Sequence, residues 1–211
     1  MEPEIPHHSL VGIHETSSAL VCESAPLVSV VMLSFNHESY IRDAVSSVVL
    51  QQTDFSFELV VGDDCSSDAS LDILRALQKA YPSVIRLITS ESNVGMWKNA
   101  ERLVMASRGE FIAFCEGDDH WSDPRKLQTQ VDFLASNSQY GAVHTGFEAA
   151  ILRSSKWRLG PGRALPCEAN PADGEIFSQL LRGNFIQTCT FLARSELVKA
   201  ALESRLKYAS Y

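Results

Sequence analysis

Residues 26–41 read PLVSVVMLSFNHESYI, and this stretch decides the fold. Its first half is an apolar, β-branched run, the composition of a strand covered on both faces. It turns polar at Ser34-Phe35-Asn36, after which Ile41, Ala44, Val45 and Val48 recur at helical spacing. Asn36 and Ser39 are candidate caps for that helix. A buried strand feeding an amphipathic helix is half of a βαβ unit, and the pattern repeats down the chain. Strands are expected at 57–62, 84–89 and 110–115. Between and after them come helices opened by Asp68, spanning Met96–Ala106, and opened by Asp123-Pro124, where one residue caps and the next has φ preset. Four such alternations imply an α/β fold, a Rossmann-like and mostly parallel sheet with helices on both faces.

The remaining segments are less periodic. Residues 140–149 and 185–192 read as further strands, 176–181 as a short helix and 195–206 as a final helix. Gly160, Pro161, Gly162, Pro166 and Pro171 mark 153–172 as a loop. Residues 1–26 hold Pro3 and Pro6 and no sustained period, so they read as a flexible N-terminal extension to a domain over 27–211.

The 211 residues are 45% hydrophobic and 21% charged, an ordinary globular composition. Lysine plus arginine number 18 against 26 acidic residues, a net charge of −8. Such a balance argues against nucleic-acid binding, which needs clustered cations. The longest uncharged apolar run, 27–35, falls far short of the roughly 20 residues of a membrane-spanning helix. No lysine or arginine precedes Arg42, so neither a secretory signal nor a transit peptide is indicated and a cytoplasmic location is expected. Cys22, Cys65, Cys115, Cys167 and Cys189 lack CxxC spacing, which argues against a zinc site and a disulfide framework. Phosphate-loop, dinucleotide-binding, zinc-protease and nucleophile-elbow motifs are all missing from the sequence.

In parallel sheets ligands bind beyond the carboxyl ends of the strands. The polar residues gather there. The second expected strand ends in Asp63-Asp64, the third leads to Asn93-Val94-Gly95, and the fourth ends in Glu116-Gly117-Asp118-Asp119. Carboxylates held close repel one another unless a cation or donor offsets them. Glycine allows a tight turn in the last cluster, whose carboxylates suit a hard divalent cation shared with ligand phosphates. The plainer reading is an acidic turn capping the next helix, a role that Asp123 already fills. Asp63 and Asp64 fit either an Asx-type turn or acceptance of a pyrimidine ring N–H, with Phe35 as a flat apolar wall. Lys98 lies near a helix N-terminus that favours anions, and is otherwise a solvated lysine. Trp121 fits a sugar-pocket wall or simple packing.

Taken together, PLVSVVMLSFNHESYI, ELVVGDDCSSDAS, NVGMWKNA and GEFIAFCEGDDHWSDPRKLQTQVDFL resemble the family 2 glycosyltransferases of the GT-A fold, in order and spacing, from about residue 26 to 146. RGNFIQTCTFLARSEL resembles the acceptor-side strand and helix of that family. The resemblance implies inverting transfer of a sugar from a nucleotide-sugar donor to a glycan or lipid-linked glycan acceptor in surface polysaccharide synthesis. Peripheral association with the inner face of the membrane is compatible with such an acceptor. It implies Asp64, beside Asp63, as the carboxylate holding the donor base and Phe35 as the aromatic position near it. Glu116, Asp118 and Asp119 match the DxD-type region that binds Mn²⁺ or Mg²⁺ and the diphosphate. Glu116 stands where aspartate is commoner, which favours Asp118 as the direct ligand. The family's general base is an aspartate downstream of the acceptor-side strand. Here only Glu196 and Glu203 follow, both at solvent-facing helical positions, so the chain reads as truncated at its C-terminus and the base is unassigned. The alternative is a non-catalytic nucleotide-sugar binding module or an inactive fragment. A nucleotidyltransferase would bring a Gly-rich basic loop after the first strand, which SFNHESY lacks.

Overall fold

The computed structural model describes residues 12–16, 25–153, 156–159 and 186–208. The strand run at the start of the domain forms β2, Val28–Ser34, buried along its whole length. It is flanked by parallel neighbours, β3 (Phe57–Asp63) on one side and β5 (Phe111–Phe114) on the other. β4 (Ile85–Ser90) extends the sheet in parallel beyond β3. An edge strand β1 (Ile13–Thr16) pairs antiparallel with β4. On the far side β9 (Phe191–Arg194) pairs antiparallel with β5, and β6 (Ala142–His144) closes that edge. The order is β1-β4-β3-β2-β5-β9-β6, with a separate hairpin of β7 (Ala150–Arg153) and β8 (Lys156–Leu159).

Alternation along β2 splits the core in two. Val28, Val30 and Met32 face helices α1 (Ile41–Val49), α2 (Ser70–Ala80) and α4 (Lys126–Ser136). Val31 and Leu33 face α3 (Met96–Ala106) and α5 (Ser195–Tyr208). Both faces of the sheet are therefore covered, as its near-continuous apolar strands require.

Several expectations need correction. Within the expected extension, Ile13–Thr16 is a paired strand; His14, Glu15 and Thr16 are all exposed there, so the segment shows no apolar alternation. The strand expected over 140–149 is limited to Ala142–His144, because its partner strand gives way to the 3₁₀ turn over Thr188–Thr190 just beyond the Thr145 N–H to Thr190 O bond. The strand expected from 185 starts at Phe191, because a 3₁₀ turn over Thr188–Thr190 precedes it. Part of the expected loop over 153–172 is the β7–β8 hairpin. Asn36 and Ser39 do not cap α1, whose N-cap Tyr40 makes no side-chain cap bond. The helix expected over 176–181, Cys22 and Cys167 lie outside the described residues. Among the described residues no helix is long and apolar enough to cross a membrane.

The amino-terminal edge of the sheet is pinned by one buried carboxylate. Glu58 on β3 accepts from Ser29 Oγ (2.6 Å), Arg108 N (2.9 Å), Arg108 Nε (2.9 Å) and Arg86 Nη1 (3.0 Å). Arg86 on β4 also reaches Glu15 on β1 at 2.7 Å and the Ala106 carbonyl that ends α3 at 2.9 Å. Burial alone pushes the Glu58 carboxyl up. The Ser29 hydroxyl, the Arg108 N–H groups and the Arg86 charge outweigh it and hold the group below its ordinary value of 4.5. A depressed native value stabilises the fold above the ordinary pKa, and the benefit is lost as pH falls through the native one. Glu58→Gln leaves two arginines facing an amide. It is expected to cost about 3 kcal/mol at pH 7 by urea unfolding, with the gap to wild type closing as pH falls below about 4.5. A gap that stays constant from neutral to acid pH would contradict this account.

Candidate functional site

The site begins at the last two carbonyls of β2. Gly117 N–H donates to Leu33 O and Asp64 N–H donates to Ser34 O, each at 2.9 Å. Successive carbonyls of a strand point to opposite sides. The loop after β3 and the loop after β5 therefore flank the end of β2 from its two sides. This is also where the sheet order reverses, with β3 and β4 on one side and β5 on the other, the crevice position for ligands in such sheets.

The loops after β2 and β3 are laced together. Asn36 N–H donates to Ser66 Oγ (3.0 Å), Ser67 N–H to Asn36 Oδ1 (2.8 Å) and His37 N–H to Ser70 Oγ (2.8 Å). Glu38 N–H donates to Asp68 Oδ2 and Ala69 N–H to Glu38 Oε2, both at 3.0 Å. Asn36 and Cys65 take left-handed conformations (φ 57° and 63°) to make these turns, a region that asparagine tolerates better than most residues. With both backbones fixed, Phe35 stands out of the strand end, 44% exposed.

Asp63 and Asp64 are buried and already bonded. Asp63 accepts from Ser66 N (3.0 Å) and Ser66 Oγ (2.6 Å). Asp64 accepts from Val94 N (2.8 Å), Gly95 N (2.9 Å) and Ser90 Oγ (3.3 Å). It thereby holds the loop ahead of α3, where Gly95 turns at φ 85°. A carboxylate has about four acceptor positions, so Asp64 retains one. Lys98 is exposed on the first turn of α3. Behind the pair, Arg102 Nη2 donates to Asp63 O (3.0 Å) and Nε to Asn99 Oδ1 (2.8 Å). Burial pushes its guanidinium down, while Asp64 and Asp63 favour its charge.

The acidic loop rides along α1. Gly117 sits against His37 and Ile41, His120 Nδ1 lies 3.4 Å from Asp43 O, and Trp121 N–H donates to Ser47 Oγ at 3.1 Å. Glu116 and Asp119 are half-buried and Asp118 is exposed. Burial, then the Asp119 and Asp118 charges, push Glu116 up to about 7. Burial and Asp118 also raise Asp119, opposed by a hydrogen bond from the Cys189 thiol. Burial and Asp119 push that thiol up to about 12. Of the expected trio of metal ligands, Asp118 faces solvent, while Glu116 and Asp119 are half-buried. Among the described residues no three His, Cys, Asp or Glu side chains form a group able to hold a metal. What the acidic loop offers is one or two oxygen ligands, which suits a cation that keeps waters and phosphate oxygens in its shell.

Three buried side-chain atoms among the described residues lack a hydrogen-bond partner: Ser34 Oγ, His37 Nδ1 and Arg102 Nη1. All three belong to this end of the sheet. By contrast, a cavity of about 520 Å³ lined by Gln52, Asp54, Arg125 and Asp132, and one of about 250 Å³ beside Glu58 and Arg108, lie away from these loops. Neither contains a residue expected to bind a ligand.

The structure therefore brings Phe35, Asp63, Asp64, Asp118, Glu116 and Asp119 to one edge, with Lys98 on the adjoining helix. Sequence reading missed the Asn36–Ser66–Ser67 lacing, Arg102, and the link from Asp119 to Cys189. Asn36 carried a usable signal, since asparagine just after a strand suits a left-handed turn. The other contacts join residues tens of positions apart and leave no local trace.

The Glycosyl transferase family 2 model matches residues 29–194, and the chain belongs to that family. Curated relatives include an uncharacterized protein of Mycobacterium tuberculosis, 34% identical over 80% of this chain and 47% of its own length. The putative glycosyltransferase EpsE of Bacillus subtilis is 34% identical over 70% of this chain and 51% of its own. The putative teichuronic acid biosynthesis glycosyltransferase TuaG of the same organism is 35% identical over 54% and 44%. This chain thus spans about half the length of the curated relatives it matches. Among solved structures, S. aureus TarS 1–349 in complex with UDP superposes with a TM-score of 0.63 at 23% identity, covering 82% of this chain and 48% of that one. The mannosyltransferase PcManGT of Pyrobaculum calidifontis, in complex with GDP-Man and Mn²⁺, gives 0.52 at 21% identity, over 60% and 37%. The fold is that of GT-A glycosyltransferases.

A Cβ at position 117 would lie 2.5 Å from His37 Nδ1 and 2.9 Å from Leu33 O. Gly117→Ala must displace the loop from β2, and is expected to cost about 1–3 kcal/mol in thermal or urea unfolding. Wild-type stability in this variant would show that the loop does not seat on β2 as described.

Proposed function

We propose that this chain is the donor-binding part of a glycosyltransferase that moves a sugar from a nucleoside-diphosphate sugar to an acceptor hydroxyl in surface glycan synthesis. The observation that carries the reading is the seating of the Asp64 and Gly117 loops on adjacent carbonyls of β2. A base recognised by one loop and a diphosphate recognised by the other would then be bridged by a single nucleotide. In this reading Asp64 uses its remaining acceptor position for a ring N–H of the base. Phe35 supplies an apolar face, and Lys98 an ammonium for phosphate at the α3 N-terminus.

The crowded carboxylates of 116–119 fit a divalent cation, Mn²⁺ or Mg²⁺, because Glu116 is driven toward neutrality when no counter-charge is near. Asp118, exposed, would be its direct ligand, with Glu116 behind it and Asp119 completing the acidic region. When bound, the cation supplies charge neutralisation at the diphosphate leaving group. The protein's own share is to orient the donor through the rigid β2 and β3 loops, and to exclude competing geometries by holding Gly117 against His37. The acceptor is proposed to be a glycan or lipid-linked glycan, and a peripheral position at the inner face of the membrane is compatible with it. The second reading is a nucleotide-sugar binding module without turnover. Release of nucleoside diphosphate from UDP-sugars or GDP-mannose by this chain would reject it.

The direct test is calorimetric titration of UDP and GDP with and without Mn²⁺. Wild type is expected to bind one of them more tightly when Mn²⁺ is present. Asp118→Ala should abolish that gain while leaving metal-free binding, and Phe35→Ala should weaken binding in both conditions. A metal effect that survives Asp118→Ala unchanged would remove the assigned role of the acidic loop.

A further inference from the structure

Lys126, the first residue of α4, is 6% exposed. Its Nζ donates to Gln130 Oε1 at 2.6 Å and lies 4.2 Å from the centre of the Trp121 ring. No described carboxylate forms an ion pair with it. Burying an ammonium without a carboxylate costs stability. A methionine of similar length would fill the space without that cost, so packing does not account for the lysine.

The groups it holds reach across the molecule. Trp121 belongs to the end of the acidic loop, and its Nε1–H donates to Cys189 O at 2.9 Å. Gln130, 2% exposed, donates through Nε2 to Thr190 O at 2.9 Å and Val143 O at 3.4 Å. Residues 188–190 form the 3₁₀ turn into β9, the segment that resembles the acceptor side of the family. The ammonium is thus the shared partner of two side chains, both of which grip the same turn, one from the acidic loop and one from α4.

We propose that Lys126 is a positioning residue that braces Trp121 and Gln130, so that the acidic loop and the 187–190 turn behave as one body and a nucleoside diphosphate bound at the first orders the second. This rests on the donor-binding reading above for its second half only. The brace itself is a property of the protein without ligand.

Hydrogen exchange on Lys126→Met and Trp121→Phe tests it. Trp121→Phe keeps an aromatic ring at this position and removes the bond to Cys189 O together with part of the buried indole. Without nucleotide, Lys126→Met is expected to melt no lower than wild type, while amides over 187–194 exchange several-fold faster. Exchange equal to wild type there, or a melting temperature well below it, would overturn the proposal, the latter by making Lys126 a simple packing residue. With UDP or GDP plus Mn²⁺, wild type should slow exchange over both 116–123 and 187–194. Both variants should slow it over 116–123 alone, and a full response of 187–194 in both would also overturn the proposal. If neither nucleotide affects 116–123 in wild type, the donor-binding reading fails instead, and the ligand-free comparison still decides the role of Lys126.

Discussion

The end of β2 is the constraint on which the rest of the molecule depends. Two consecutive backbone carbonyls, Leu33 O and Ser34 O, receive N–H groups from loops more than fifty residues apart in the chain. Neither bond involves a side chain, so the convergence rests on β2 staying buried and parallel to both neighbours and on the close backbone approach that Gly117 allows. It makes a crevice out of topology alone. Side chains then specialise its two walls. The β3 side is rigid and fully laced, with Asp63 and Asp64 committed to Ser66, Val94 and Gly95. The β5 side is strained by charge, with Glu116 raised by burial and by the Asp119 and Asp118 charges, and Asp119 raised by burial and by Asp118.

The two ends of the sheet solve opposite problems. At the amino-terminal edge every lone pair of the Glu58 carboxylate is engaged and both arginines around it are paired, which suits a region with only a structural task. At the other edge Ser34 Oγ, His37 Nδ1 and Arg102 Nη1 are left without partners, and like charges stand together. Buried polar groups are normally satisfied, and exceptions concentrate where structure serves ligand chemistry. The asymmetry is itself an argument for where the chemistry is.

Much of this could be read from the chain. The uniform VVML core of β2 and the period of α1 to α4 required a covered parallel sheet, and strand-end clustering of Asp63, Asp64 and Asp118 marked the edge where the loops after β3 and β5 converge. What escaped has physical reasons. β1 exposes His14, Glu15 and Thr16 and is held by backbone pairing to β4 and by the Glu15–Arg86 ion pair, so it lacks a readable alternation. The strand at 140–149 shortens because its partner β9 gives way to the 3₁₀ turn over Thr188–Thr190. Lys126 reads locally as a surface lysine at a helix start, and only the tertiary approach of Trp121 and the 187–190 turn buries it. The pairing of Asp119 with Cys189 joins residues seventy apart, beyond any local rule.

The proposed function requires the two loops to share one ligand. Paramagnetic broadening by Mn²⁺ in the presence of nucleoside diphosphate, read by backbone NMR, measures this directly. Resonances of 116–120 and of 34–37 and 63–68 should broaden together at low metal, while those of Glu58, Arg86 and Arg108 at the opposite edge stay sharp. Broadening confined to 116–120 with the Asp64 loop unaffected, or centred on the Glu58 edge, would contradict it.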